Sequence, residues 1–274
     1  MKYDIELVGK IGSMALIDKK DNMIDYNIVA RLSKELKPGF IWVSSGATEI
    51  GRLDYISRNG HEIEGNSEER KTDYAAQGQT ILMSNYRQFV DPKYSLRQVL
   101  VEHYHFNDEK KREHLKSLLL RCVEQNAIPI INYNDAVSDE ENRKMEINAL
   151  SKSKNKVVEC VDNDETATQI ACLVGAKRLL ILTSVNGIYN NPDDEKTLIK
   201  EISGKNIEEV LQNIEYYKNF CNGTSRKGSN GAKAKLEYIK DAVKCGTEVI
   251  IANAKYSIKD ILGGTALSTK IGVK

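Results

Sequence analysis

The chain has 274 residues, 41% of them hydrophobic and 29% charged, with 40 basic against 39 acidic side chains and a formal charge of +1. That composition is ordinary for a globular protein, and the charge balance argues against bulk attraction to nucleic acid or to an anionic membrane, which would need a clear basic excess. No run approaches the roughly 18 apolar residues that span a bilayer, and the start Met1-Lys2-Tyr3-Asp4 lacks the apolar core of a secretory leader.

In chain order, short apolar runs alternate with amphipathic stretches. A first strand leads into Gly9-Lys10-Ile11-Gly12-Ser13. Tyr26 to Leu36 reads as a helix, and Phe40 to Val43 as a buried strand followed by Ser44-Ser45-Gly46-Ala47. The polar stretch from Asn59 to Arg70 reads as a loop, and Tyr74 to Phe89 as a helix. His103 and His105 read as a solvated strand face with no role. From Lys110 to Gln125, Leu115, Leu118, Leu119 and Cys122 recur at helical spacing. The strand Ile128 to Ile131 comes next. Ser138 to Lys156 is charged and poor in apolar residues, so a projecting loop or hairpin is expected there, of the kind that often forms a functional lid. An apolar run ending at Val161 precedes a helix from Asp164 to Val174. The strand Leu179 to Leu182 opens a turn-rich stretch from Ser184 to Glu201. A helix from Gly231 to Cys245 and a strand from Val249 to Ala252 complete the pattern. Continuous apolar strands alternating with helices predict an α/β fold with a mostly parallel central sheet flanked by helices. The five cysteines (Cys122, Cys160, Cys172, Cys221, Cys245) contain no C-x-x-C pair and suit a reducing, cytoplasmic setting, each expected as a small buried hydrophobe.

Ligands of open α/β sheets bind at the carboxyl ends of the strands, and chemistry-bearing residues collect after several of these runs. They are Lys10 with Gly12 and Ser13; Ser45-Gly46-Ala47; Asn132-Tyr133-Asn134-Asp135; Asp162-Asn163-Asp164; and Thr183-Ser184. Glycine lets backbone N–H groups approach an anion, though a strand-end glycine also serves as a plain turn. Asp162-Asn163-Asp164 before a helix also reads as an N-cap, and Lys10 as a solvated lysine. Gly228-Ser229-Asn230-Gly231 opens a helix with Lys235 one turn inside, like a loop cradling phosphates at a helix N-terminus. The Walker A spacing and the protein-kinase signatures are absent.

The order of these pieces resembles the amino acid kinase family over nearly the whole chain. The segments that carry the likeness are Lys10 to Ser13, Val43 to Ala47 with Gly51-Arg52, Ala75 to Gln79, Ile131 to Val137, Asp162 to Asp164, Leu179 to Tyr189, Gly228 to Lys235 and Gly264-Thr265. The resemblance implies a three-layer αβα sandwich with a mostly parallel central sheet, folded as a single kinase domain over 1–274, with an acceptor-binding lobe to about 175 and a nucleotide-binding lobe over about 176–274. The RNA-modification-type (PUA) domain often appended in this family is not expected. It implies transfer of the γ-phosphoryl group of ATP to a small carboxylate, with glutamate the leading acceptor, feeding proline synthesis. Lys10 and Lys235 would neutralise charge on the transferring group and Asp164 would hold both lysines. Ser45, Gly46, Ala47, Asn134, Asp135, Asp162 and Asn163 would hold the amino acid. Lys10, Gly12, Ser13, Thr183, Ser184, Gly187, Tyr189, Gly228, Ser229, Asn230, Gly231 and Lys235 would line the nucleotide site. Mg²⁺ would be held mainly by the nucleotide phosphates, not by protein ligands, and a homo-oligomer is implied.

The chain departs from the family pattern at Tyr133, where the family usually has an acid, and in the Ser138 to Lys156 insertion. It departs also at Ser184, where aspartate is common, and at Asn230, where glycine is. The first two bear on the acceptor, the last two on nucleotide affinity. Three alternatives stand beside glutamate phosphorylation: a same-fold kinase with another amino acid or carboxylate acceptor, a non-catalytic nucleotide or anion sensor, and a nucleotide-monophosphate kinase. The last would want several arginines for its acceptor phosphate, where the acceptor region offers mainly Arg52 and Arg70.

Overall fold

The computed structural model describes residues 5–18, 20–138, 140–152, 157–160, 162–191, 193–219 and 231–274. The expected loop residues Gly228, Ser229 and Asn230 therefore lie outside the described residues, as do Cys221 and the chain start.

The chain begins with β1 (Leu7–Ile11), the short strands β2 (Ile17–Asp18) and β3 (Met23–Ile24), and α1 (Tyr26–Glu35). Asp25 caps α1, its carboxylate accepting from the N–H groups of Asn27 and Ile28. Next come β4 (Phe40–Ser44), α2 (Ala47–Asn59) and α3 (Ser67–Phe89). A reciprocal capping box starts α3: Asn66 Oδ1 accepts from Glu69 N at 3.0 Å, and Glu69 Oε2 accepts from Asn66 N at 2.9 Å. Then follow β5 (Ser95–Val101), α4 (Tyr104–Asn107), α5 (Glu109–Glu124), β6 (Ala127–Tyr133), α6 (Glu140–Ser151) and α7 (Asn163–Val174). The remainder holds β7 (Arg178–Thr183), β8 (Ile188–Tyr189), β9 (Leu198–Ile199), β10 (Glu201–Gly204), α8 (Ile207–Lys218), α9 (Gly231–Lys244), β11 (Glu248–Asn253), α10 (Ile258–Gly263) and β12 (Ser268–Val273).

Two compact units emerge. The first comprises residues 5–11, 39–43 and the described part of 164–274. Its strands run in the order β10-β12-β11-β7-β1-β4. Here β1, β7 and β11 are parallel, with Lys10 and Ile251 both beside Ile181, and β12 runs antiparallel to β11. Every residue of β1 and β4 is buried, which explains their mostly apolar sequence, broken only near the carboxyl ends by Lys10 and Ser44. Gly9 is required by close packing, because a Cβ there would lie 2.1 Å from a ring carbon of Trp42.

The second unit comprises the described part of 12–38 and 44–163. Its parallel pair β5 and β6 ends in register at Val101 beside Tyr133. Helices α2 and α3 cross in near backbone contact. A Cβ on Gly51 would sit 1.9 Å from the Tyr74 carbonyl oxygen, and one on Gly78 would sit 1.8 Å from that of Ala47.

The mostly parallel sheet with its helices is the α/β architecture expected from the sequence, and several local expectations are corrected. Within Ser138 to Lys156, residues 140–151 form α6, not a loop or hairpin. Only Ile147 of α6 is buried, so the segment lacks the apolar stripe by which helices are read. His103 and His105 belong to the turn of α4, not to a strand, and His103 is only 3% exposed. Its Nε2 lies 3.0 Å from Glu146 of α6. Residues 157–160 form no strand. The expected loop from Asn59 to Arg70 ends early, since α3 begins at Ser67. The turn-rich stretch after β7 holds the β8–β9 hairpin. Cys245 is exposed, whereas Cys122 and Cys160 are buried.

Candidate active site

The first unit gathers three charged side chains, two of them buried and the third, Lys235, half-buried. Asp164, in the first turn of α7, is 1% exposed, and Lys10 on β1 is 5% exposed. Lys10 Nζ lies 2.6 Å from Asp164 Oδ1, and Lys235 Nζ of α9 lies 2.5 Å from Asp164 Oδ2. One carboxylate thus takes a lysine on each oxygen. Burial alone would raise the Asp164 pKa, but the two ammonium groups outweigh it and hold the carboxyl at about 2. Two cations against one buried anion leave a net positive centre at the carboxyl edge of the sheet, suited to a polyanionic phosphate chain.

Thr183 and Ser184 follow at the end of β7. Thr183 Oγ1 closes a local turn with Val185, accepting from its N–H at 2.9 Å, and Asn253 Nδ2 donates to the Ser184 carbonyl at 3.0 Å. Gly187 and Tyr189 belong to the β8–β9 hairpin. That hairpin is fastened by Thr269 of β12, which sequence reasoning missed. Thr269 Oγ1 accepts from Ile188 N at 2.8 Å and donates to the Ile199 carbonyl at 2.6 Å. A Cβ on Gly187 would meet the same oxygen at 2.4 Å. Gly231 is the first residue of α9, at φ +56°.

In the second unit the expected acceptor residues form a chain of amides. Asn163 Nδ2 donates to Ser45 Oγ and to Asn132 Oδ1, each at 3.0 Å, and Asn132 Nδ2 donates to Gln79 Oε1 at 3.0 Å. Two buried atoms of this chain have no partner: Asn163 Oδ1, an acceptor, and Gln79 Nε2, a donor. Buried polar groups are normally satisfied, so this pair offers one place for an ammonium group and one for a carboxylate oxygen. Gly46 caps α2 at φ +108°, a conformation that favours glycine, with Ala47 beginning the helix and the Ser13 Cα packed near Gly46. Gly12, by contrast, is in extended backbone open to any residue.

Asn134 N donates to the Val101 carbonyl at 3.0 Å, and its side-chain amide donates to Glu102 Oε1 at 2.9 Å. Asp135 lies 3.6 Å from Lys71 Nζ. Burial pushes the Asp135 carboxyl upward in pKa, and Lys71 opposes that. Asp162 immediately precedes α7. Lys71 carried no sequence signal, whereas Gln79 and Asn132 stand in segments already quoted for the family likeness. Among the described residues no group of three His, Cys, Asp or Glu side chains is placed to hold a metal ion, and no helix is long and apolar enough to cross a membrane.

A profile of the Amino acid kinase family matches residues 6–253, and the chain belongs to that family. Among curated proteins it is similar to the glutamate 5-kinase of Alkaliphilus metalliredigens, 28% identical over 96% of this chain and 94% of that one. It is also similar to glutamate 5-kinase 1 of Bacillus subtilis and to the glutamate 5-kinase of Gloeobacter violaceus. Both are 30% identical over 98% of this chain and 69% of theirs. Among solved structures, carbamate kinase from Giardia lamblia bound to AMP-PNP aligns over 99% of this chain and 100% of its own, with a TM-score of 0.58 and 14% identity. That likeness establishes the fold.

Proposed function

We propose that the chain is an ATP-dependent glutamate 5-kinase of the cytoplasm, forming glutamyl 5-phosphate as the first step of proline synthesis. The observation that carries this reading is the Lys10–Asp164–Lys235 trio, in which a buried carboxylate holds one buried and one half-buried lysine, since a protein that merely binds nucleotide needs no pair of cations locked to one carboxylate. The free acceptor atom on Asn163 and the free donor atom on Gln79 suit the two charged ends of an amino acid. The first unit takes the nucleotide and the second the acceptor. An oxygen of the ionised side-chain carboxylate attacks the γ-phosphorus, the bond to the bridging oxygen breaks, and ADP leaves. A carboxylate is already deprotonated at neutral pH, so no general base is required. Lys10 and Lys235 steady the charge on the transferring phosphoryl group, while Asp164 fixes both ammonium groups beforehand. Mg²⁺ bound with the nucleotide would supply further charge neutralisation.

The test is ADP release from Mg-ATP across a panel of amino acids and carboxylates, with hydroxylamine present to trap acyl phosphates. Hydroxamate from glutamate is the expected product, and Lys10→Ala and Lys235→Ala are each expected to lose at least about a hundredfold in kcat. Turnover of another acceptor alone would replace the substrate, and no turnover with any acceptor would favour a binding protein. Thr269→Val should raise KM for ATP severalfold with little change in KM for the amino acid, because it frees the hairpin bearing Gly187 and Tyr189. A selective effect on the amino acid would overturn that assignment.

A further inference from the structure

The α6 helix brings a cation to the loop that carries Asn134 and Asp135. Arg143 places its guanidinium carbon 5.8 Å from the centre of the Tyr133 ring, at the end of β6. Its Nε is buried and has no hydrogen-bond acceptor. The acidic residues around it are engaged elsewhere: Glu140 with Lys144 at 2.5 Å, Glu146 with His103 at 3.0 Å, and Asp135 with Lys71 at 3.6 Å. The charge of Arg143 nevertheless acts on Asp135, Glu140 and His103. The helix that carries it is pinned by the His103–Glu146 contact. The chain returning from the insertion is tied where Asn107 donates to the Val158 carbonyl at 2.7 Å and accepts from its N–H at 3.0 Å.

The guanidinium also hydrogen-bonds the Tyr133 side chain, and a guanidinium fixed in this way beside an aromatic ring, with its buried Nε–H meeting no acceptor, is arranged for a planar anion. A phosphate dianion would be repelled by Asp135 in the same loop, whereas a carboxylate carries a single charge in a plane that matches the guanidinium fork. We infer that Arg143 is a specificity-determining residue that binds the non-reacting carboxylate of the acceptor. This deepens the proposed function and rests on it. The insertion is then part of the acceptor site, and Tyr133 is the shelf that orients the arginine.

The experiment compares L-glutamate with 4-aminobutyrate, which keeps the reacting carboxylate and the amino group but lacks the α-carboxylate. Arg143→Gln is expected to raise KM for glutamate at least about tenfold, the loss of one charged hydrogen bond, with kcat within roughly threefold and KM for ATP unchanged. Its kcat/KM for 4-aminobutyrate should match that of the wild type, so that discrimination between the two collapses, and Arg143→Lys should restore part of it. An unchanged KM for glutamate overturns the inference. So does an equal loss on both compounds, which would mark α6 as merely structural. If 4-aminobutyrate turns over too slowly to measure, rescue by Arg143→Lys decides the question. Failure of the wild type to phosphorylate any carboxylate is a different result, seen before any variant is made, and would remove the proposed function itself.

Discussion

Asp164→Ala is expected to abolish turnover and to destabilise the protein by about 3–5 kcal/mol, the cost of leaving a buried charge without its counter-ion. Lys10, 5% exposed, would face Lys235 across the space the carboxylate held. Asp164→Asn keeps the shape and removes the charge, so it should lose kcat as well while packing stays intact. The checks are hydroxamate formation and a urea midpoint. A variant with normal kcat would show that the trio serves folding only. The same group predicts acid behaviour. Its folded pKa, about 2, lies below the ordinary carboxylate value, so its stabilising contribution is complete above about pH 4 and disappears as the pH falls towards 2. The midpoint difference between wild type and Asp164→Asn should therefore narrow between pH 5 and pH 2. A difference that stays constant over that range would deny the carboxylate its role.

Gly78→Ala is expected to cost about 3 kcal/mol or more, the upper end of overpacking penalties, and so to lower Tm by roughly 6–12 °C. Alanine gains about 1 kcal/mol of helix propensity over glycine, but here its Cβ would stand 1.8 Å from the Ala47 carbonyl oxygen and 2.5 Å from the Gly51 nitrogen. Both obstacles are backbone, so α2 must move away from α3. Ser45 and Gly46 lie at the start of α2 and Gln79 adjoins Gly78 on α3, so the amide chain that ends at Gln79 should loosen too, raising KM for the acceptor. Gly263→Ala is the control: its Cβ would meet nothing within 4 Å, and the substitution should be neutral or stabilising. If the two variants melt alike, the helix crossing does not depend on glycine.

Much of the fold was legible because its signals are local. The strands β4, β6, β7 and β11 are continuous apolar runs, and α5 shows Leu115, Leu119 and Cys122 on one buried face. Helix α2 escaped notice because Gly51 and a mixed surface blur its stripe, although its contact with α3 is among the tightest in the chain. The N-cap and N3 acid at Asn66 and Glu69 are a readable start signal for α3 within a stretch whose polar composition otherwise predicts a loop. Helix α6 could not be read, since its one buried side chain, Ile147, gives no periodicity. Its orientation depends on His103, more than forty residues earlier.

The sequence by itself determined the α/β class, the amino acid kinase likeness, and the residues Lys10, Asp164 and Lys235 as candidates, because residue type and strand-end position are written locally. The likeness also implied that Asp164 holds both lysines, but only the tertiary structure decided how deeply that carboxylate is buried, that Asn163, Asn132, Gln79 and Ser45 form a single chain, and that Arg143 stands beside Tyr133. Most of those facts depend on partners far apart in sequence, Asn163 and Ser45 by 118 residues, and a long-range pairing leaves no mark on the local pattern of either partner.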